Sequence, residues 1–197
     1  MSKISRVSLA LLALALITGM TGCRFDNPLS GSSSKDLNSW LLGVWEHKDD
    51  KGKVLYRSTV TPKSSGRYWV RIQKPGGGPS KNYLFEAWIS RVGRSSFLTL
   101  LSVEGPAEMP PGSHAFAHYQ VLDQNNVRIR IPQLESPPEA SSMQLRKEVR
   151  KRLKEESLYP DPGTNWQRVS EVYWSGDDAP QPFQPLRFPT PPQVDGQ

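Results

Sequence analysis

The residues with chemical potential fall into a few groups, and their spacing settles most of them. His114 and His118 are separated by three residues, which on a helix would make a pair of metal ligands. Residues 115–122, however, alternate apolar and polar like a strand. That places both imidazoles on the outer face, about 13 Å apart at roughly 3.3 Å per residue, too far for one ion to bridge. They read as surface histidines, and no metal is expected. Pro75, Gly76, Gly77, Gly78 and Pro79 form a glycine-rich loop, but no helix follows to offer its N-terminus to a phosphate; the loop reads as a hairpin link. The acid pairs Asp49/Asp50 and Asp177/Asp178 lie in a turn and in the tail, where carboxylates are solvated. No serine sits in a nucleophile-elbow setting. The expectation is a protein without catalytic residues and without a cofactor. Cys23 stands alone in the chain, which excludes an intrachain disulfide framework and any cysteine-based zinc or iron–sulfur site.

What precedes Cys23 gives it a different chemistry. Lys3 and Arg6 form a basic start, residues 7–17 are a run of small aliphatic side chains, and Thr21 and Gly22 are small. This is the layout of a secretory signal, too short to span a bilayer comfortably. Met20, Thr21, Gly22 and Cys23 resemble the lipobox of bacterial lipoproteins. The resemblance implies a signal peptide over 1–22, acylation of Cys23 as the mature N-terminus, and attachment to a membrane through that lipid. Each buried methylene contributes roughly 0.8 kcal/mol, so two or more acyl chains make a lasting anchor. Arg24, where inner-membrane lipoproteins carry aspartate, implies the outer membrane of a two-membrane cell. Loss of 1–22 lowers the net charge from +6 to +4, too small a surplus to expect a nucleic-acid partner.

The elements follow from composition. Residues 23–39 are rich in Ser, Gly and Asn and predict a flexible tether. Residues 175–197 hold six prolines and predict an extended tail, whose Phe183, Leu186 and Phe188 are free to strap onto the domain or a partner. Between them, 40–174 form one domain. Period-two alternation predicts strands over 40–47, 54–61, 67–74, 82–91, 97–103, 115–122, 127–131 and 166–174, separated by short turns that suit antiparallel pairing. Residues 141–157 lack Gly and Pro and predict a helix, with Leu145, Val149 and Leu153 as its apolar stripe. Its charged face (Arg146, Lys147, Arg150, Lys151, Arg152, Lys154) reads as solvated, with contact to anionic headgroups as the functional alternative. The fold class is all-β with one helix: an antiparallel up-and-down barrel of about eight strands, since closure removes exposed edges. The inward set is Val54, Tyr56, Val60, Tyr68, Val70, Ile72, Tyr83, Phe85, Ala87, Ile89, Ala115, Ala117, Tyr119, Val121, Val127, Ile129 and Ile131.

Gly43, Val44 and Trp45, at the start of the first strand, resemble the Gly-x-Trp opening of lipocalins, and the late helix before a closing strand is similar. The stretch 40–174 is similar to bacterial lipoproteins with a lipocalin-like barrel. Lipocalins set an arginine over the first-strand tryptophan, a role that falls to Arg168 here; the Thr-Asp-Tyr turn of that family has no match at Asp123–Asn126. The resemblance implies a membrane-anchored cell-envelope lipoprotein whose barrel takes a hydrophobic or amphipathic small molecule, lined by Tyr56, Tyr68, Tyr83, Phe85 and Tyr119. The alternative is a structural or assembly lipoprotein with a side-chain-filled barrel that contacts an envelope protein.

Overall fold

Strands dominate because β-branched and aromatic residues recur at every second position between turn residues. The computed structural model describes residues 24–31, 38–64, 66–76 and 82–170. The expected signal, Cys23, and everything from 171 on, including the Pro-rich tail and the end of the last expected strand, lie outside them. A 3-10 turn, Ser39–Leu41, leads into β1 (Gly43–Lys48), β2 (Val54–Lys63), β3 (Arg67–Gln73), β4 (Tyr83–Val92), β5 (Ser95–Glu104), β6 (His114–Val121) and β7 (Asn126–Arg130). The α-helix α1 (Ser142–Arg152), the only one among the described residues, a second 3-10 turn (Glu156–Leu158) and β8 (Thr164–Ser170) complete it. Each strand pairs antiparallel with the next, and β8 returns to β1, so the sheet is a closed eight-stranded up-and-down barrel.

Closure depends on one glycine. Gly43 has φ +130°, and a Cβ there would lie 2.6 Å from the Ser170 carbonyl oxygen of β8. No larger residue permits that approach. One pair further along, Trp45 faces Arg168 across the same ladder. The guanidinium carbon sits 4.9 Å from the Trp45 ring centre and 5.1 Å from that of Trp40. Arg168 also donates to the Trp40 carbonyl, while the Trp45 indole N–H donates to the Leu41 carbonyl at 3.0 Å. Trp40 itself belongs to the 3-10 turn rather than to the first strand, because the chain must fold across the barrel end before pairing begins.

The sheet carries two cores, one on each face. The inner one contains Tyr68, Val70, Phe85 and Ala87 with Leu41 and Met109. The outer one lies on β4, β5 and β6, where Val92, Phe97 and Phe116 are covered by Phe25, Leu29, Leu145, Val149 and Leu158. Covering that face uses the residues expected to be free tether. Phe25 and Leu29 are 1% and 0% exposed, and Phe25 pairs with His114 as an added β-bridge. Residues 24–31 are therefore not a flexible tether: a solvated Phe25 and Leu29 would leave a large apolar sheet face bare.

α1 is set by a capping box, with the Ser141 side chain accepting from the Gln144 amide and Gln144 Oε1 accepting from the Ser141 amide. It ends five residues sooner than composition predicts. Arg152 turns back to bind Glu148, Glu155 and the Gln133 carbonyl, and the following turn buries Leu158 instead of prolonging the helix. Val121, expected inside, is 49% exposed at the barrel rim, because β6 runs out past the floor there. On the outer face of β3 and β4, Glu86 pairs with Lys63 and Arg67, which lie over the Trp69 and Trp88 rings.

Replacing Gly43 by alanine is expected to lower unfolding stability by about 3 kcal/mol, the upper end for a strained non-glycine backbone. Urea denaturation with an unchanged slope reads this directly; a loss below about 0.5 kcal/mol would refute the close approach.

Candidate functional site

Inward-facing side chains in a closed barrel are shielded laterally from bulk water by the sheet, so the surface they keep faces the interior or one of the barrel's ends. Strand pairing fixes which residues these are. Tyr83, Phe85, Ala87 and Ile89 of β4 share a face with Ile72 and Val70 of β3 and with Leu98 and Leu100 of β5. Ala115, Ala117 and Tyr119 of β6 continue it. Val70, Phe85, Ala87 and Ala117 are fully packed, but Ile72, Tyr83, Leu100, Ala115 and Tyr119 are only half-buried. The interior is therefore tightly packed at Val70, Phe85, Ala87 and Ala117 and less completely packed at Ile72, Tyr83, Leu100, Ala115 and Tyr119.

Two plugs bound the interior. At one end Leu41 enters from the 3-10 turn, and the Asn38 amide donates to the Tyr68 hydroxyl at 2.7 Å. At the other, the β5–β6 loop folds inward and buries Met109 to 1%. That loop is held by the Ser102 hydroxyl donating to the Met109 carbonyl at 2.8 Å and by the Gly112 amide donating to the Ser102 carbonyl at 2.8 Å. Prolines 106, 110 and 111 stiffen it further.

The residues expected to line a ligand divide accordingly. Tyr56, Tyr83 and Tyr119 are half-buried on the inner wall. Phe85 is 2% exposed and stacks under Tyr83, ring centres 5.8 Å apart. Tyr68 is 1% exposed, with its hydroxyl committed to the floor. Leu98, Leu100 and Met109 belong to the interior without having been expected there. The run Phe97, Leu98, Thr99, Leu100, Leu101 is apolar on both parities because both faces of β5 are covered, so alternation alone does not choose the inward one. Met109 lies among loop residues and carries no periodic signal.

Along β4, β5 and β6 the wall carries no charge. Burial pushes the Tyr83 hydroxyl up, with Tyr56 and Glu108 adding to it, and burial likewise raises Tyr68 despite the Asn38 amide. The inward positions of β4, β5 and β6 named above carry no charge; Arg168 is held at the floor between its two tryptophans. Such a surface makes dispersion and aromatic contacts with an apolar body and offers tyrosine hydroxyls to a polar end.

The histidines are not surface groups. They do face outward, but that face is covered. His114 is 8% exposed beneath Phe25. His118 is half-buried between the rings of Phe97 and Tyr159, 5.0 and 5.4 Å away. Burial lowers the pKa of both; Arg130 lowers His118 further, while Asp26 and the backbone of Phe25 and Asp26 partly offset the shift at His114. Burial pushes the Tyr159 hydroxyl up to about 12, with Arg130, 4.6 Å from its ring, pulling the other way. Among the described residues no three His, Cys, Asp or Glu side chains come together as a metal site.

No protein-family model, no curated protein and no solved structure matches this chain.

A histidine held neutral by the fold stabilises it fully above the unfolded value of 6.5 and loses that contribution as pH falls toward its lowered folded pKa. Stability is expected to drop between pH 7 and pH 5, before the carboxylates matter. Glu86 and Glu148, raised by burial but lowered on balance by Lys63 and Arg67 in one case and by Ser136, Glu135 N–H and Arg152 in the other, add losses only below about 4.5. His118→Gln is expected to flatten the upper part of that slope. Urea midpoints that stay constant from pH 7 to pH 5 in the parent chain would contradict the buried-histidine account.

Proposed function

We propose that this chain is a cell-envelope lipoprotein, anchored through a lipid on Cys23, whose barrel holds an apolar or amphipathic small molecule. The observation that supports it is the half-buried state of Ile72, Tyr83, Leu100, Ala115 and Tyr119 on the inner wall of a closed barrel. A structural barrel would bring such residues to full packing, as Val70 and Phe85 are packed. Support for the lipocalin-like reading comes from Gly43, Trp45 and Arg168 gathered at one closing seam. This reading assigns the barrel no catalytic step and no cofactor. The ligand's apolar body lies against Leu100 and the tyrosine rings, and its polar end meets hydroxyls rather than ions. The lipobox-like sequence and Arg24 after it support attachment at the outer membrane.

The second reading, a filled structural barrel that contacts an envelope protein, draws support from the packed half of the interior, where Leu41 and Met109 enter from opposite ends. One substitution separates the two. In a barrel with open space Leu100→Trp is accommodated, changes stability by less than about 1 kcal/mol and removes bound small molecule seen by native mass spectrometry. In a filled barrel it overpacks and costs about 1–3 kcal/mol, with no ligand to lose.

The anchor is tested separately. Cys23→Ser is expected to move the chain from the membrane to the aqueous fraction and to remove the acyl mass from its N-terminal peptide. A chain that partitions identically with either residue would end the lipoprotein assignment.

A further inference from the structure

We infer that the face of α1 turned away from the barrel lies on the membrane that carries the Cys23 lipid, and that it meets an acidic phospholipid surface there. This rests on the acylation proposed above. The lipid has very little slack. Phe25 exchanges two backbone hydrogen bonds with His114, of 2.9 and 2.7 Å. The Asp26 amide donates to the Pro138 carbonyl at 2.8 Å, and Asn27 Nδ2 donates to the Ala140 carbonyl at 3.2 Å. Cys23 stands two positions before Phe25, a reach of about 7 Å at full extension. The barrel is thus held close to its anchor, on the side where the chain enters α1 at Ser141.

α1 presents the matching chemistry. At 3.6 residues per turn, Met143, Lys147, Arg150 and Lys151 share one arc of α1, opposite the buried Leu145 and Val149, and Lys154 continues the row in the turn just past the helix end. All five are exposed, Met143 to 79%. No acid falls within the arc. Glu148 is taken by Ser136 and Arg152, and Glu155 by Arg152; Glu135, Glu139 and Glu156 lie outside it, before and after the helix. Arg152 is spent on those internal pairs and Arg146 on the Arg91 carbonyl, whereas among the described residues the four cations of the row form no ion pair. A row of unpaired cations with one exposed thioether at the end nearest the anchor suits a headgroup layer: the cations meet phosphates and Met143 enters the boundary. Each cation near an anionic surface favours contact by roughly a factor of five, within a Debye length.

Full-length acylated chain carrying Met143→Cys takes a fluorophore at the new thiol, since Cys23 is blocked by its lipid. It is reconstituted in phosphatidylcholine vesicles with or without phosphatidylglycerol, each containing a lipid with a headgroup-level quencher. A second chain labelled through Lys51→Cys, in the β1–β2 turn across the barrel, is the control. Quenching at 143 is expected to exceed that at 51 severalfold in the anionic vesicles. It is expected to fall to the level at position 51 when Lys147, Arg150 and Lys151 are all changed to glutamate, with the far-ultraviolet spectrum unchanged. Equal quenching at the two positions, or quenching indifferent to anionic lipid and to the triple change, overturns the inference. Where mass spectrometry shows the acyl group and position 143 stays unquenched, only this inference falls. Where no acyl group is present, the anchoring reading falls and takes this one with it.

Discussion

The meeting of β8 with β1 is the contact on which the molecule depends. A sheet of seven strands in simple meander order has two open edges, and only the return of β8 removes them. That return requires the Ser170 carbonyl to pass where the Cβ of any residue but glycine would stand at Gly43. It also requires a cation to be neutralised in a mostly apolar setting. Arg168 solves this by lying between the Trp40 and Trp45 rings and donating to the Trp40 carbonyl. The same three elements (strand start, strand end and 3-10 turn) therefore close both the sheet and the floor. Every inward position keeps its place because that seam holds the register.

The second constraint is that β4, β5 and β6 are apolar on both faces. An ordinary one-sided sheet would leave Phe97 and Phe116 in water. Here α1 seals one part of that face and the segment at Phe25 and Leu29 seals the rest. This places two histidines under cover, the physical basis for the expected loss of stability toward acid pH. It also couples events outside the barrel to the start of the chain, since the strap bonded to His114 is continuous with the proposed lipid site. The inner face is packed less completely than the outer.

Much of the architecture could be read from residue order. Alternation in eight segments, turn residues between them and a Gly- and Pro-free stretch before the last strand lead to an antiparallel barrel with one helix, and the structure has that fold. Two edges of the reading were misplaced for one reason: burial by distant chain has no local signature. Phe25 and Leu29 sit among Ser, Gly and Asn and look like tether, and His114 looks like a surface residue. The helix end was set by Arg152 bonding to Glu148 and Glu155, a choice that composition does not express. In the candidate site, the half-buried Tyr56, Tyr83 and Tyr119 were nameable from parity. Tyr68 was named equally well, yet its hydroxyl belongs to the floor, and Leu100 and Met109 gave no sign of being inside.

Order along the chain thus determined which residues alternate, where the turns fall and that glycine and tryptophan open the first strand, because these depend on neighbours two to four positions away. It equally determined the neutrality of the inner wall along β4, β5 and β6, since polarity is a property of residue type. Tertiary structure decided what lies over each face and how much room is left between the walls. Those quantities arise when segments such as Phe25 and His114, 89 positions apart in sequence, meet, and when side-chain volumes either fill the closed cylinder or fall short of it.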